Sequence, residues 1–216
     1  MTQILRRLVA AAGVVTIAVA SAPAAAAPAI GPLRIVLLVD SSSAVSGMLT
    51  SFRAGLGAFL DALPGDPEIA FITTGGQMRI RVPPTTDRTK LRSAAAGFAA
   101  DGGANSLLDT LLESDQRFLK NTPDRRPIFV IVTTDNNSSR GDERIDAYNL
   151  FMKDFVQRSG RAHAIVVHGV NSGPTTDIMM NLTGNTGGFY DALAVANALP
   201  ERLRALAAMV AADMPE

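Results

Sequence analysis

The chain has 216 residues, 47% of them apolar and 5% aromatic, with no Trp, no Cys, and 20 basic residues balanced by 20 acidic ones. That balance leaves no basic footprint for nucleic acid and few aromatic rings for base stacking, and the lack of cysteine excludes disulfides and cysteine lipidation. Stability has to come from packing, which a chain of this size and apolar content supplies as one domain. Arg6 and Arg7 precede an apolar run from Leu8 to Ala20, and a stretch of small residues and prolines follows from Ser21 to Ala29. This is the pattern of a secretory signal peptide over residues 1–26, cut after Ala26 so that no proline stands first in the mature chain. The alternative, a membrane anchor, needs an apolar run of about 20 residues, longer than this one. No later stretch is long and apolar enough to span a bilayer. A short linker over 27–32 then leads to one domain over 33–213, expected to be secreted or periplasmic.

The mature chain opens on Ile35 to Val39, five apolar residues without alternation, which suits a strand covered on both faces. Asp40, Ser41, Ser42 and Ser43 follow at its carboxyl end. Apolar residues from Val45 to Leu63 recur at helical spacing, and Pro64-Gly65 ends that helix. Glu68 to Ile72 reads as a second strand, and a glycine turn at 74–77 leads into a third, Gln77 to Val82. The third alternates, with Arg79 and Arg81 on its open face, and so is expected to be an antiparallel edge strand stopped by Pro83-Pro84. Thr86-Asp87 caps a short helix, and the polar, glycine-rich loop from Asp101 to Ser106 opens a longer one through Leu119. Pro127 to Asp135 repeats the first strand's pattern, an apolar run ending in a carboxylate, with a polar loop over 136–141. A helix through Ile145 and Phe155, a strand from His163 to His168, a short helix from Asp177 to Thr183 stopped by Gly184, a brief strand over 187–190 and a last helix from Val195 to Val210 complete the chain. Strands alternating with helices, except at one hairpin, define an α/β, doubly wound, mostly parallel six-stranded sheet.

Four segments, Ile35 to Ser43, Gly102 to Leu111, Ile128 to Asp135 and Leu182 to Tyr190, together resemble the von Willebrand factor type A domain, as found in secreted bacterial proteins. The resemblance implies the strand order 3-2-1-4-5-6, with strand three at the antiparallel edge. It also implies a protein-binding face formed by the loops at the carboxyl ends of the strands. Such domains often hold Mg²⁺ or Mn²⁺ in a metal-ion-dependent adhesion site (MIDAS), where hard oxygen ligands suit a hard cation. Carried over, the ligands are Asp40, Ser42 and Asp135. The pattern's other serine and its threonine are Ala44 and Ala104, whose methyl groups cannot coordinate, so the site is degenerate and the expected cation dependence weak.

Ser43, Asn105, Ser106 and Asn136 are candidates to contact a protein partner in the cell envelope or outside the cell. Asp40 and Asp135 also suit a plain role as caps of the helices that follow them. Two further readings stay open. One is a hydrolase using Ser42 or Ser43 with His168, although the Gly-x-Ser-x-Gly elbow is missing; the other is a metal-free assembly scaffold. His163 and His168, five apart on one strand, fall on opposite faces and make no metal pair.

Overall fold

The computed structural model describes residues 31–135, 144–168 and 173–214. The leader over 1–26 and the candidate contact Asn136 lie outside them. Six strands form one sheet: β1 (Leu33–Val39), β2 (Glu68–Thr73), β3 (Arg79–Thr85), β4 (Arg126–Asp135), β5 (Arg161–His168) and β6 (Tyr190–Leu193). Their order is β3-β2-β1-β4-β5-β6, as the resemblance implied. All neighbours pair in parallel except β2 and β3. The helices are α1 (Leu49–Ala62), α2 (Arg88–Ala96), α3 (Leu107–Ser114), α4 (Ile145–Gln157), α5 (Pro174–Thr186) and α6 (Leu199–Ala211).

The unalternating strands are unalternating because both faces are covered. Ile35, Leu37 and Val39 of β1 pack with Phe52, Leu56 and Phe59 of α1 and Leu203 and Leu206 of α6. Val36 and Leu38, pointing the other way, join Phe129 and Ile131 of β4, Leu111 of α3, Phe151 and Phe155 of α4 and Leu182 of α5. With side chains on alternate sides at a period of two, one strand feeds two cores, and neither tolerates a polar residue.

Several boundaries differ from the sequence reading. Pro83 and Pro84 do not stop β3, which runs to Thr85. At an edge a missing N–H costs no ladder bond, and the register against β2 shifts twice along this pair. The turn before β3 is longer than a tight hairpin, because Gly75 leaves the sheet to bridge Asn105. Helix α1 starts at Leu49, after a 3₁₀ turn over Ser43–Val45. Past Ser114 the third helix widens into a π turn over Asp115–Leu119. Gly184 lies within α5; the helix ends instead at Gly187, whose φ of 66° supplies the left-handed cap. Accordingly β6 begins at Tyr190, and Val195 is exposed ahead of α6.

Candidate functional site

The carboxyl ends of β1, β2 and β4 meet at one edge of the sheet, here called the crest, where polar residues replace apolar ones within a single position. Asp40, Ser41, Ser42, Thr73, Thr74, Asn105, Thr133, Thr134 and Asp135 are all buried there. Buried polar groups have to be paired, so their partners define what the crest can do.

Asp40 is wholly buried, and its Oδ1 accepts the Ser42 N–H at 2.8 Å. Its Oδ2 accepts the Asn105 side-chain amide at 3.1 Å, the Thr134 N–H at 3.1 Å and the Thr134 hydroxyl. Asn105 has a second Nδ2 bond, to Thr133 Oγ1 at 2.8 Å, and its Oδ1 accepts the Thr74 hydroxyl at 2.6 Å. One amide therefore ties β1, β2 and β4 together. Backbone bonds run between the same loops: Ser43 N–H to Gly103 O at 3.1 Å, Gly76 N–H to Ala104 O at 2.7 Å and Ser106 N–H to Thr74 O at 2.9 Å.

The approach of these loops depends on Gly75, where a Cβ would lie 2.4 Å from the Ser41 carbonyl oxygen. It depends equally on Gly103, which has a φ of 70° and leaves a Cβ position only 3.1 Å from Gly76 Cα.

A second network lies on the β2–β3 side. Asp101 accepts the Ser41 hydroxyl at 2.7 Å and the Thr73 hydroxyl at 3.2 Å, and pairs with the Arg81 guanidinium. Arg81 also donates to Thr73 Oγ1 at 3.1 Å. Burial pushes the Asp101 carboxyl up, but the bonds from Arg81, Ser41 and Thr73 and the Arg81 charge outweigh it and hold the group below its ordinary range. The sequence reading missed this role of Asp101, and it placed Arg81 on an open strand face. The signal was available in the two arginines at alternate positions of an edge strand with no other acid assigned to them.

Asp135 faces another way. Its Oδ2 accepts the Gly173 N–H at 2.6 Å and the Thr176 hydroxyl, so it serves the N-terminus of α5. In these bonds Asp135 serves the helix after β5, α5. A carboxylate suits that position because the free N–H groups and the positive end of the helix dipole converge on it.

Ser42 is wholly buried, and its hydroxyl accepts the Ala44 N–H at 3.4 Å as the cap of the 3₁₀ turn. A nucleophile has to meet its substrate, and this serine is sealed beneath the crest. Ser43, the other serine of the hydrolase reading, is exposed; the side chain of His168, their expected base, lies outside the described residues. Asn105, at 2% exposure, acts inside the protein and is not a partner contact. Ser106 is half-buried, with its hydroxyl on the Thr74 carbonyl oxygen at 2.6 Å. Among the described residues, Ser43, Ala44, Gly103 and Ala104 are exposed on the outer side of the crest. His163 lies at the opposite edge of the sheet.

The sheet order, with its polar cluster at the switch point between β1 and β4, defines a doubly wound α/β fold whose ligand face is the crest. Residues 35–137 match the family described as the von Willebrand factor type A domain. No curated protein sequence matches it.

Among solved structures, a von Willebrand factor type A protein from Catenulispora acidiphila aligns at a TM-score of 0.69 and 14% identity, covering 84% of this chain and 43% of that one. The conserved hypothetical protein BatB from Bacteroides thetaiotaomicron aligns at 0.63 and 10%, covering 83% of this chain and 99% of its own. Proximal thread matrix protein 1 from the mussel byssus, with a zinc-occupied MIDAS motif, aligns at 0.62 and 10%, covering 85% and 46%. At these identities the likeness establishes the fold.

The family's cation fits this donor set poorly. Ala44 and Ala104 offer only methyl groups, Asp40 is engaged by protein donors on both oxygens, and Asp135 is drawn to α5. Among the described residues no three acids or histidines gather where they could hold a metal ion. A groove of about 600 Å³ lies beside α3, the π turn and α4, away from the crest. Along it Arg117 pairs with Glu113 and Arg144 with Asp109.

Proposed function

We propose that this domain is an extracytoplasmic protein-binding module that engages its partner through the crest. One observation carries the reading: the buried polar side chains of the crest are bonded to one another, so that, among the described residues, Ser43, Ala44, Gly103 and Ala104 form an uncharged, exposed patch held in place from beneath. Such a surface loses little conformational entropy on binding, which lowers one of the costs of association. Von Willebrand factor type A domains serve generally as protein-interaction modules, and the leader read over residues 1–26 supports a location outside the cytoplasm. Asp40, Ser42 and Asp135, the ligands expected from the resemblance, act in this reading as the frame beneath the surface. A weak cation dependence through them is the less favoured form of the proposal, because their described bonds run to protein groups.

The chain has no cysteine, so a single one can be labelled uniquely. Ala104→Cys at the crest and Met209→Cys on α6, each carrying a photo-crosslinker, are added to cell-envelope extract. Adducts with another protein from position 104 and not from 209 are the expected result. Equal adducts from both, or none from 104, would move the binding surface elsewhere.

A further inference from the structure

The poor fit of a cation raises the question of what holds the crest loops together. In a metal-holding crest a divalent ion draws carboxylate and hydroxyl ligands from separate loops onto one point, and without it a buried carboxylate such as Asp40 would stand uncompensated. We propose that the side-chain amide of Asn105 takes over the cation's linking role, so that the three crest loops keep their arrangement without any metal.

The amide has the required reach and polarity. Its Nδ2 carries two hydrogens, one for Asp40 Oδ2 at 3.1 Å on the β1 loop and one for Thr133 Oγ1 at 2.8 Å on β4. Its Oδ1 takes the Thr74 hydroxyl at 2.6 Å beyond β2. Both ends of the amide are thus matched to the donors and acceptors they meet. Asn105 directly follows Ala104, the position at which the family's threonine would ligate. The loop thus has a methyl group at the ligating position and an amide one residue further on. The Thr134 N–H and hydroxyl complete the pairing of Asp40 Oδ2. The carboxylate therefore has uncharged hydrogen-bond donors where a metal site would present a charge.

The test needs no partner, so its outcome is independent of the binding reading above. Thermal unfolding of the wild-type mature domain in EDTA and in millimolar Mg²⁺ or Mn²⁺ is expected to give the same Tm. A cation bound at a hundred times its Kd would raise it by roughly 5–10 °C, and a rise of that size overturns the proposal. In parallel, amide hydrogen exchange is followed in EDTA at Ser43, Gly76 and Ser106, whose N–H groups bond between the loops. Asn105→Ala is expected to speed exchange at all three by about tenfold or more, leaving Ala164 and Val166 in β5 unchanged. Unchanged exchange at the three crest amides overturns the linking role. If Asn105→Ala does not fold, Asn105→Ser, which keeps one short donor, is read at the same amides against the same criterion.

Discussion

Asp40 at the crest and Asp213 at the opposite edge of the sheet are both almost removed from solvent, at 0% and 3% exposure, yet they are compensated in different ways. The described donors to Asp40 are uncharged: two backbone N–H groups, one hydroxyl and one amide. Asp213, just past α6, is met by the guanidinium of Arg161, by Arg126 Nη1 at 3.3 Å and by His163 Nε2 at 3.4 Å. His163 accepts the Phe189 N–H on Nδ1 at 3.2 Å, which leaves its ring proton on Nε2, toward Asp213. The basal pairing fastens the end of the last helix to the first residues of β4 and β5, and long charged side chains do this across a gap. The crest pairing fixes the mutual position of three loops, and short directional bonds do that better.

The first way to break this contrast is to remove the crest acid. Asp40→Ala strands the buried Ser42 and Thr134 N–H groups and one hydrogen of the Asn105 amide. Each orphaned buried donor costs roughly 1–3 kcal/mol, so a loss of about 3 kcal/mol or more is expected in urea unfolding. A loss below about 1 kcal/mol would mean that these donors find other partners and that the crest is not held by Asp40.

How much of this was readable beforehand depended on whether the information lay within one segment. The apolar runs of β1 and β4 carry their own evidence of two-sided burial, and the acids that end them mark the ligand edge; from these and the order of elements the fold follows. The role of Asn105 was not readable, because its three partners sit 31, 65 and 28 residues away in sequence. For Asp135 the sequence offers a metal-ligand role and, beside it, a cap of the adjacent helix; its bonds to α5 were not readable, since only the return of the chain through β5 brings Gly173 and Thr176 beside it. Thr133 and Thr134 were passed over as the end of an apolar strand, although two hydroxyls before a carboxylate are a local polar signal. Pro83-Pro84 misled for a physical reason: adjacent N–H positions point to opposite sides of a strand, so one proline faces the open edge, and the pair lies where the register against β2 shifts.

The basal acid gives the next largest effect and a pH signature. Burial raises the Asp213 carboxyl, but the bond from His163 and the charges of Arg126 and Arg161 outweigh it and leave the group below its ordinary value. A depressed carboxylate contributes stability that is present above the unfolded pKa of about 3.9 and is lost as pH falls through the folded value. Asp213→Asn is therefore expected to cost about 2–3 kcal/mol near neutrality, toward the low end for a broken buried pair because Arg161 is partly exposed. The difference from wild type should shrink as pH falls below about 4. A cost constant from neutral to acid pH would show that packing, and not charge, is what Asp213 supplies.

Asp115, in the π turn beside α4, sharpens the comparison from the other direction and by the smallest amount. It accepts the Arg158 guanidinium on both oxygens at 2.9 Å, and Arg158 also lies 5.5 Å from the Phe155 ring centroid. Here burial outweighs the bond and charge of Arg158, Asp154 adds a like charge, and the carboxyl is raised. The sign reverses accordingly: the group's contribution is fully present below its unfolded pKa of about 3.9 and is lost as pH rises through the raised folded value. In Asp115→Asn the amide keeps one acceptor for Arg158 without the burial penalty of a charge, so the change near neutrality is expected to stay within about 1 kcal/mol. Relative to wild type, this variant should gain as pH rises from about 4 toward 7, opposite to the trend of Asp213→Asn. Chemical unfolding of the two variants from about pH 2 to about pH 7 measures both slopes. A pair of slopes with the same sign would mean that the two buried acids are governed by the same balance, and that the number of cations around a carboxylate does not decide it.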